Sequence, residues 1–314
     1  MKDGSARGSA ALWALLLCAF LIASASIAES PARVQERLSV VTTTNDLRSL
    51  TEAIGGERVA VTALVPSGFD PEEYQPRPQD LARVRQARAV VRVGLDFDLW
   101  LDRLLAQAGG NVRRGSAGYV GASLGIATLD VRGMSIGDGH GHGSGNPHYW
   151  LDPRNAEIIT ANILAVLIGI DPESAAIYEA NRVAFLSRLE PKIKEWEDRL
   201  AALRGVPLVA YHNSWPYFAR RFRLEFIGTV EPKPGVPPSP SHLATLIGTM
   251  NARGARIIVR QPHEPEKDVG FVARHTGGVV AVLAASVGAL PGADDYPSLF
   301  DVNVAALRAA AGVR

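Results

Sequence analysis

Cysteine is nearly absent from the 314-residue chain, and neither sign of charge is in excess. The only cysteine is Cys18, and 33 lysine and arginine residues stand against 32 aspartate and glutamate residues, a formal net charge of +1. The chain also lacks any block of five or six basic residues, so it has little to attract nucleic-acid phosphates, and we expect no nucleic-acid partner. The hydrophobic share of 47% is ordinary for a globular protein and excludes a disordered chain.

The N-terminus begins with an apolar segment. Lys2 and Arg7 precede an uncharged stretch over residues 8–28 that ends in small residues. This order is typical of a secretory signal peptide, so we expect residues 1–28 to be removed and the mature protein to be periplasmic. A cut a few residues earlier and an uncleaved membrane anchor are the alternatives. Cleavage would also remove Cys18, which excludes thiolate and disulfide chemistry in the mature protein.

Short β-branched runs alternate with helical stretches along the rest of the chain. The runs predict strands near residues 38–43, 59–64, 89–93, 207–211, 224–230, 255–259 and 278–283. Such alternation predicts parallel sheets with helices on both faces. Residues 172–204 contain no glycine and predict one helix of about 30 residues. We therefore expect an α/β fold with two lobes, at residues 31–170 and 205–314, joined by a connecting helix at residues 171–204.

Three loops carry side chains that are able to bind a metal. His212 directly follows a buried apolar run, His148 lies in a loop before a capped helix, and the loop at residues 69–76 exposes carboxylates. Open α/β sheets bind ligands beyond the carboxyl ends of their strands. One carboxylate with two imidazoles suits Zn²⁺, or Mn²⁺ and Fe²⁺ when a further oxygen is added. A hydrogen-bonded structural role is the alternative for each histidine taken alone.

Several motifs follow one another in the order and spacing of a known receptor family. They are Ile54–Val59, Asp70–Pro76, Pro147–Pro153, Tyr211–His212, Glu231–Gly235 and Pro237–Pro240. Together they resemble the metal-binding solute receptors of bacterial ABC uptake systems, the zinc and manganese family whose two lobes are joined by one long helix. The resemblance implies a protein that binds a divalent metal between its lobes, delivers it to a permease in the inner membrane and catalyses no reaction. We expect it to be a monomer.

The resemblance implies metal ligands at His148 and His212, and both histidines are present. At the position of the family's first ligand, a histidine, this chain has Glu72, and at the nearest match to the fourth ligand, an aspartate, it has Ala284. Three outcomes are open: a three-ligand site completed by water, a fourth ligand from elsewhere, or an altered metal preference. The candidates for a fourth ligand are Glu264, His263, Asp294 and Asp295. We expect zinc first, then manganese, then iron.

His140 and His142 lie in a glycine-rich stretch at residues 137–146. This stretch resembles a short form of the histidine-rich loop of zinc-specific members, which would capture metal or hand it over. A flexible linker with incidental histidines is the alternative.

The rival function is an exported zinc metallohydrolase that uses the same His, His and Glu set around an activated water. No His-Glu-x-x-His motif, the usual signature of a zinc hydrolase helix, occurs in the sequence. The first strand leads into Thr43 and Thr44 rather than a glycine-rich phosphate turn, which argues against a dinucleotide enzyme. A receptor is therefore the function that we expect.

Overall fold

The computed structural model describes residues 36–129 and 145–313, so the expected signal peptide and the His140–His142 stretch lie outside the described residues. The first lobe consists of β1 (Leu38–Thr42), α1 (Asn45–Gly55), β2 (Val59–Ala63), α2 (Pro78–Gln86), β3 (Ala89–Arg92), α3 (Trp100–Ala108), β4 (Tyr119–Gly121) and α4 (Ala156–Ile170). After the long helix α5 (Ala175–Arg199), the second lobe consists of β5 (Pro207–Ala210), α6 (Pro216–Phe222), β6 (Glu225–Thr229), α7 (Pro240–Arg253), β7 (Ile257–Arg260), α8 (Glu266–Thr276), β8 (Val279–Val282) and α9 (Tyr296–Ala310).

Each lobe contains one four-stranded sheet whose paired strands are all parallel. The strand orders are β2-β1-β3-β4 and β6-β5-β7-β8, so the first strand of each lobe lies between the two strands that follow it in the chain. This reversal of strand order creates a crevice at the carboxyl ends of the strands. The predicted α/β fold with two parallel-sheet lobes is confirmed, and both lobes belong to one compact unit, residues 37–314.

Local signals explain where the helices begin. The side chain of Ser239 accepts a hydrogen bond from the backbone N–H of His242 and Pro240 follows it, which is the usual start of a capped helix. Asp295 and Ser298 cap α9 reciprocally. Residues 153–170 are long and apolar enough to cross a membrane by length and composition alone. Because α4 packs against α1, α5 and β4, its apolar character is that of a core helix.

The long helix α5 packs against α1 and α4 of the first lobe and against α6 and α9 of the second. It has 25 residues and continues through Pro191, and short 3₁₀ turns flank it at residues 172–174 and 201–203. One continuous hydrophobic core extends from the first lobe past α5 into the second. A smaller cluster covers the opposite face of each sheet. The core therefore joins the lobes on the side of the molecule that α5 occupies.

Candidate metal site

A cavity of about 530 Å³ lies between the lobes, at the carboxyl ends of the strands. Its walls come from loops of both lobes. The first lobe contributes residues 68–73 after β2 together with Phe97, His148 and Trp150. The second lobe contributes Tyr211, His212, Ser214, Glu231, Pro234, Gly235, Pro237, Gln261, His263, Glu264, Pro265, Ala285, Ser286 and Ala289. The topology thus brings to one place the loops that the sequence singles out.

Glu72, His148 and His212 offer one ligand atom each, and these three atoms lie within 4.8 Å of one another. Glu72 Oε1 is 3.5 Å from His148 Nε2 and 3.8 Å from His212 Nε2. The two imidazole rings are 5.9 Å apart, centre to centre. A carboxylate oxygen and two imidazole nitrogens at this spacing are the kinds of donor that bind zinc and its neighbours among the divalent transition metals.

The loop that carries Glu72 is held on the first lobe by polar and aromatic contacts. The backbone N–H of Glu72 donates to Asp70 Oδ1 at 2.8 Å, which is an Asx turn. Trp100 Nε1 donates to the carbonyl of Pro71 at 3.2 Å, and the buried hydroxyl of Tyr74 donates to Asp80 at 2.7 Å. These hydrogen bonds, together with the prolines of the loop, hold its backbone in place. The Glu72 carboxylate therefore projects from a loop of defined conformation.

His148 is 5% exposed and is oriented by its neighbours. Asn146 Oδ1 accepts from the backbone N–H of His148 at 3.0 Å and lies 3.2 Å from the ring Nδ1. The ring packs edge-on against Phe97 at 5.4 Å and lies 5.3 Å from Trp150. With Nδ1 as the donor to Asn146, Nε2, the nitrogen nearest Glu72, is the ring atom able to accept a proton or a cation.

His212 follows β5 directly, and its Nδ1 is 2.5 Å from Glu231 Oε2. Burial alone would lower the pKa of His212, but the hydrogen bond to Glu231 and the charges of Glu72 and Glu231 raise it to about 9. Burial raises the pKa of Glu72 to about 7, against the charge of His212. At neutral pH a cation that binds His212 therefore has to displace a proton from the imidazole.

The four candidate fourth ligands have different surroundings. Glu264 and His263 line the same cavity. Glu264 is buried and accepts from Gln261 through both carboxylate oxygens, and burial raises its pKa to about 7. Asp294 and Asp295 are exposed and are not among the residues that line the cavity, and Asp295 caps α9 instead.

Ala284, the nearest match to the family's fourth ligand, is not among the residues that line the cavity. Ala284 is fully buried, and its backbone N–H and carbonyl pair with the side-chain amide of Asn303 at 2.8 and 2.7 Å. The cavity wall is formed by the next two residues, Ala285 and Ser286. A side chain at position 285 borders the cavity, and one at position 284 packs in the core.

Glu231 also lines the cavity, and the sequence analysis did not predict its contact with His212. A signal for it exists, because β5 and β6 are neighbouring parallel strands and His212 and Glu231 each lie just beyond the end of one of them. Residues that follow adjacent parallel strands share the same edge of the sheet.

Two parallel-sheet lobes joined by a long helix, with an imidazole and carboxylate cluster in the crevice between them, define a two-lobed solute-binding protein. The family model for the periplasmic component A of zinc-uptake complexes, ZnuA, matches residues 40–310. The chain belongs to this family, and the predicted class of metal-binding solute receptor is confirmed.

Individual relatives agree with the family. A protein of Treponema pallidum (strain Nichols), described as a metal-binding protein, is 28% identical over 83% of this chain and 84% of its own length. The iron ABC transporter substrate-binding lipoprotein MtsA of Streptococcus pyogenes serotype M1 is 27% identical over 69% of each chain. The crystal structure of a ZnuA deletion mutant with zinc bound is 29% identical, covers 88% of this chain and 98% of its own, and superposes with a TM-score of 0.75.

Proposed function

We propose that this protein captures a divalent transition metal with Glu72, His148 and His212 and delivers it to an ABC permease in the inner membrane. The observation that carries the proposal is the cluster itself, in which three donor atoms from both lobes lie within 4.8 Å of one another. An ion bound there bridges the lobes, so its presence favours one relative position of the two. Extracytoplasmic location and a permease partner are supported by the family and by the transporter lipoproteins among the relatives.

Zinc is the metal that we place first, followed by manganese and iron. Two imidazoles with one carboxylate match zinc sites that keep an open position for water. The carboxylate of Glu72 is a harder donor than an imidazole, which improves the relative affinity for manganese and iron. Since both oxygens of Glu264 accept from Gln261, we expect water to complete the sphere. The relatives include proteins named for zinc, iron and manganese.

The rival hydrolase has less support. The relatives are substrate-binding components of transporters rather than enzymes. Turnover of esters or peptides by the zinc-loaded protein is the observation that would favour it.

Metal titration of single-histidine variants tests the proposal. His148→Ala and His212→Ala are each expected to lower zinc affinity by orders of magnitude, because each removes a ligand atom from a three-ligand set. The matched control is His275→Ala, since His275 is exposed on α8 and its Nδ1 bonds to the carbonyl of Phe271. Affinity is measured by competition with a chromophoric chelator, and circular dichroism checks the fold. Wild-type affinity in both variants would reject the site.

A further inference from the structure

A carboxylate lies behind His212, on the side of the ring that faces away from Glu72. Glu231 Oε2 is 2.5 Å from His212 Nδ1, whereas His212 Nε2 is the nitrogen 3.8 Å from Glu72 Oε1. Glu231 is not one of the three residues whose ligand atoms converge within 4.8 Å. It therefore contacts the ring at one nitrogen while the other nitrogen faces the proposed metal position.

We propose that Glu231 is a positioning residue that holds the His212 imidazole with Nε2 directed at the metal. The proposal rests on the proposed function, because it assigns His212 as a ligand. An Nδ1–H that donates to a carboxylate fixes both the tautomer and the rotation of the ring, and it makes Nε2 a stronger donor to a cation.

The backbone places Glu231 for this role. Its N–H donates to the carbonyl of Tyr211 at 2.9 Å, so the pairing of β5 with β6 continues up to the residue before His212. Thr229 Oγ1 donates to the carbonyl of Glu231 at 2.7 Å. The imidazole and the carboxylate thus leave adjacent, hydrogen-bonded backbone segments, and their contact does not depend on a flexible loop.

The second oxygen of the Glu231 carboxylate contacts a loop that forms one wall of the cavity. Glu231 Oε1 accepts from the backbone N–H of Gly235 at 2.8 Å, and Lys233 and Val236 pair across the same tight loop. Pro234, Gly235 and Pro237 line the cavity. One side chain therefore links the orientation of His212 to the loop at residues 233–237, and a test has to separate these two roles.

His148 provides an internal comparison. Its Nδ1 faces the amide oxygen of Asn146, a neutral acceptor, at 3.2 Å. The two imidazole rings therefore have different partners at Nδ1: the charged carboxylate of Glu231 for His212, and the neutral amide of Asn146 for His148. Loss of the Glu231 carboxylate is expected to change the ring of His212 and to leave the ring of His148 as it is.

The test compares Glu231→Ala, Glu231→Gln and the control Glu225→Gln. Glutamine has the size of glutamate and one oxygen to accept a hydrogen bond, but it has no charge. Glu225 lies on β6 and its carboxylate contacts Arg253 on the surface. Two quantities are measured in each protein: zinc affinity by chelator competition, and the ring N–H signals of His148 and His212 in ¹⁵N-resolved NMR of the zinc-loaded protein.

We expect Glu231→Ala to lower zinc affinity about 10- to 100-fold, the usual effect of removing such a partner, and Glu231→Gln to lower it less. In Glu231→Ala the hydrogen-bonded Nδ1–H signal of His212 is lost while that of His148 persists, and Glu225→Gln matches the wild type in both measurements.

Wild-type affinity in Glu231→Ala overturns the proposal. So does reduced affinity with an unchanged His212 signal, because the effect then comes from the loop or from direct ligation. If His212→Ala itself binds zinc like the wild type, the proposed site fails, which is a separate result.

Discussion

Glu72 contributes a carboxylate oxygen at the position where the family resemblance implies an imidazole. Its Oε1 is 3.5 Å from His148 Nε2 and 3.8 Å from His212 Nε2. At the proposed site, exchanging this oxygen for a nitrogen would change the donor type and keep its location, because contacts of Asp70, Pro71 and Tyr74 hold the loop. Selectivity among divalent metals depends on such donor types more than on overall affinity.

Glu72→His is therefore expected to raise the ratio of zinc affinity to manganese affinity by about tenfold or more, which is about 1.4 kcal/mol. A third imidazole favours zinc over manganese, which prefers oxygen donors. Both affinities are measured by chelator competition at one pH. The control is Glu57→His, at an exposed position that does not line the cavity. An unchanged ratio in Glu72→His would place this carboxylate outside the coordination sphere.

Asp46 is a fully buried carboxylate that connects the lobes beside the cavity. Its two oxygens accept from Ser286 Oγ at 2.7 Å and from the backbone N–H of Val287 at 2.9 Å. Burial raises its pKa from 3.8 to about 6, although these hydrogen bonds oppose the rise. Between pH 4 and pH 6 the folded state thus binds more protons than the unfolded state, so this group makes the protein less stable as the pH rises.

Asp46→Asn removes that contribution. The difference in free energy of unfolding, variant minus wild type, is expected to increase by about 2 kcal/mol between pH 4 and pH 7, since a shift of one pKa unit corresponds to about 1.4 kcal/mol and part of the unfolded-state titration lies below pH 4. The altered hydrogen bond to Ser286 or Val287 adds an offset that does not vary with pH. Urea unfolding of the metal-free protein measures the difference, with the exposed residue substitution Asp294→Asn as control. A difference that stays constant across this range contradicts the assignment.

At the residue scale, the sequence indicates which side chains are able to bind a metal better than it indicates which residues contact those side chains. His212 and Glu72 stand out because they follow predicted strands, and His148 stands out because it lies in a loop before a capped helix within a family motif. The Glu231 contact requires knowing which strands are neighbours, and the distinction between positions 284 and 285 requires the exact end of β8. A one-residue error in a strand reverses the direction of the side chain.

The long helix α5 shows which features of an element can be predicted from its hydrophobic pattern and which cannot. The helix α5 is predictable because Phe185, Leu189, Ile193 and Trp196 recur at helical spacing over a stretch without glycine. Its ends are less predictable, because a single turn of 3₁₀ helix at each end has the same composition as the helix itself. Pro191 does not end the helix, because packing of the flanking residues outweighs the loss of one hydrogen bond.

The short strand β4 was not predicted. It has three residues, Tyr119–Gly121, and only one of them is buried. Three residues are too few for an alternation to be visible. The strand forms because β3 offers it an edge to pair with, with Val90 opposite Tyr119 and Val91 opposite Val120. This pairing is a tertiary contact, and no local signal in the sequence encodes it.

For the whole molecule, contacts between the lobes limit how far they can separate. The hydrophobic core is continuous from one lobe to the other. Polar contacts cross the same boundary: Trp150 Nε1 donates to the carbonyl of Ala285 at 2.8 Å, and the Arg221 guanidinium pairs with the buried carboxylate of Asp152 at 2.7 Å. A wide hinge motion would expose this core and leave buried polar groups unpaired, both of which are costly.

We therefore expect metal binding to close the cleft by a small movement. Spin labels at Arg103→Cys on α3 and Lys267→Cys on α8, both exposed positions, report the separation of the lobes. Cys18→Ser leaves the two new thiols as the only ones in the chain. The distance distributions with and without zinc are each expected to have a single maximum, and the two maxima are expected to differ by only a small distance, because the bound ion selects among closely related arrangements. A second, well-separated maximum without zinc would show instead that the core between the lobes opens, and the lobes would then act as independent bodies.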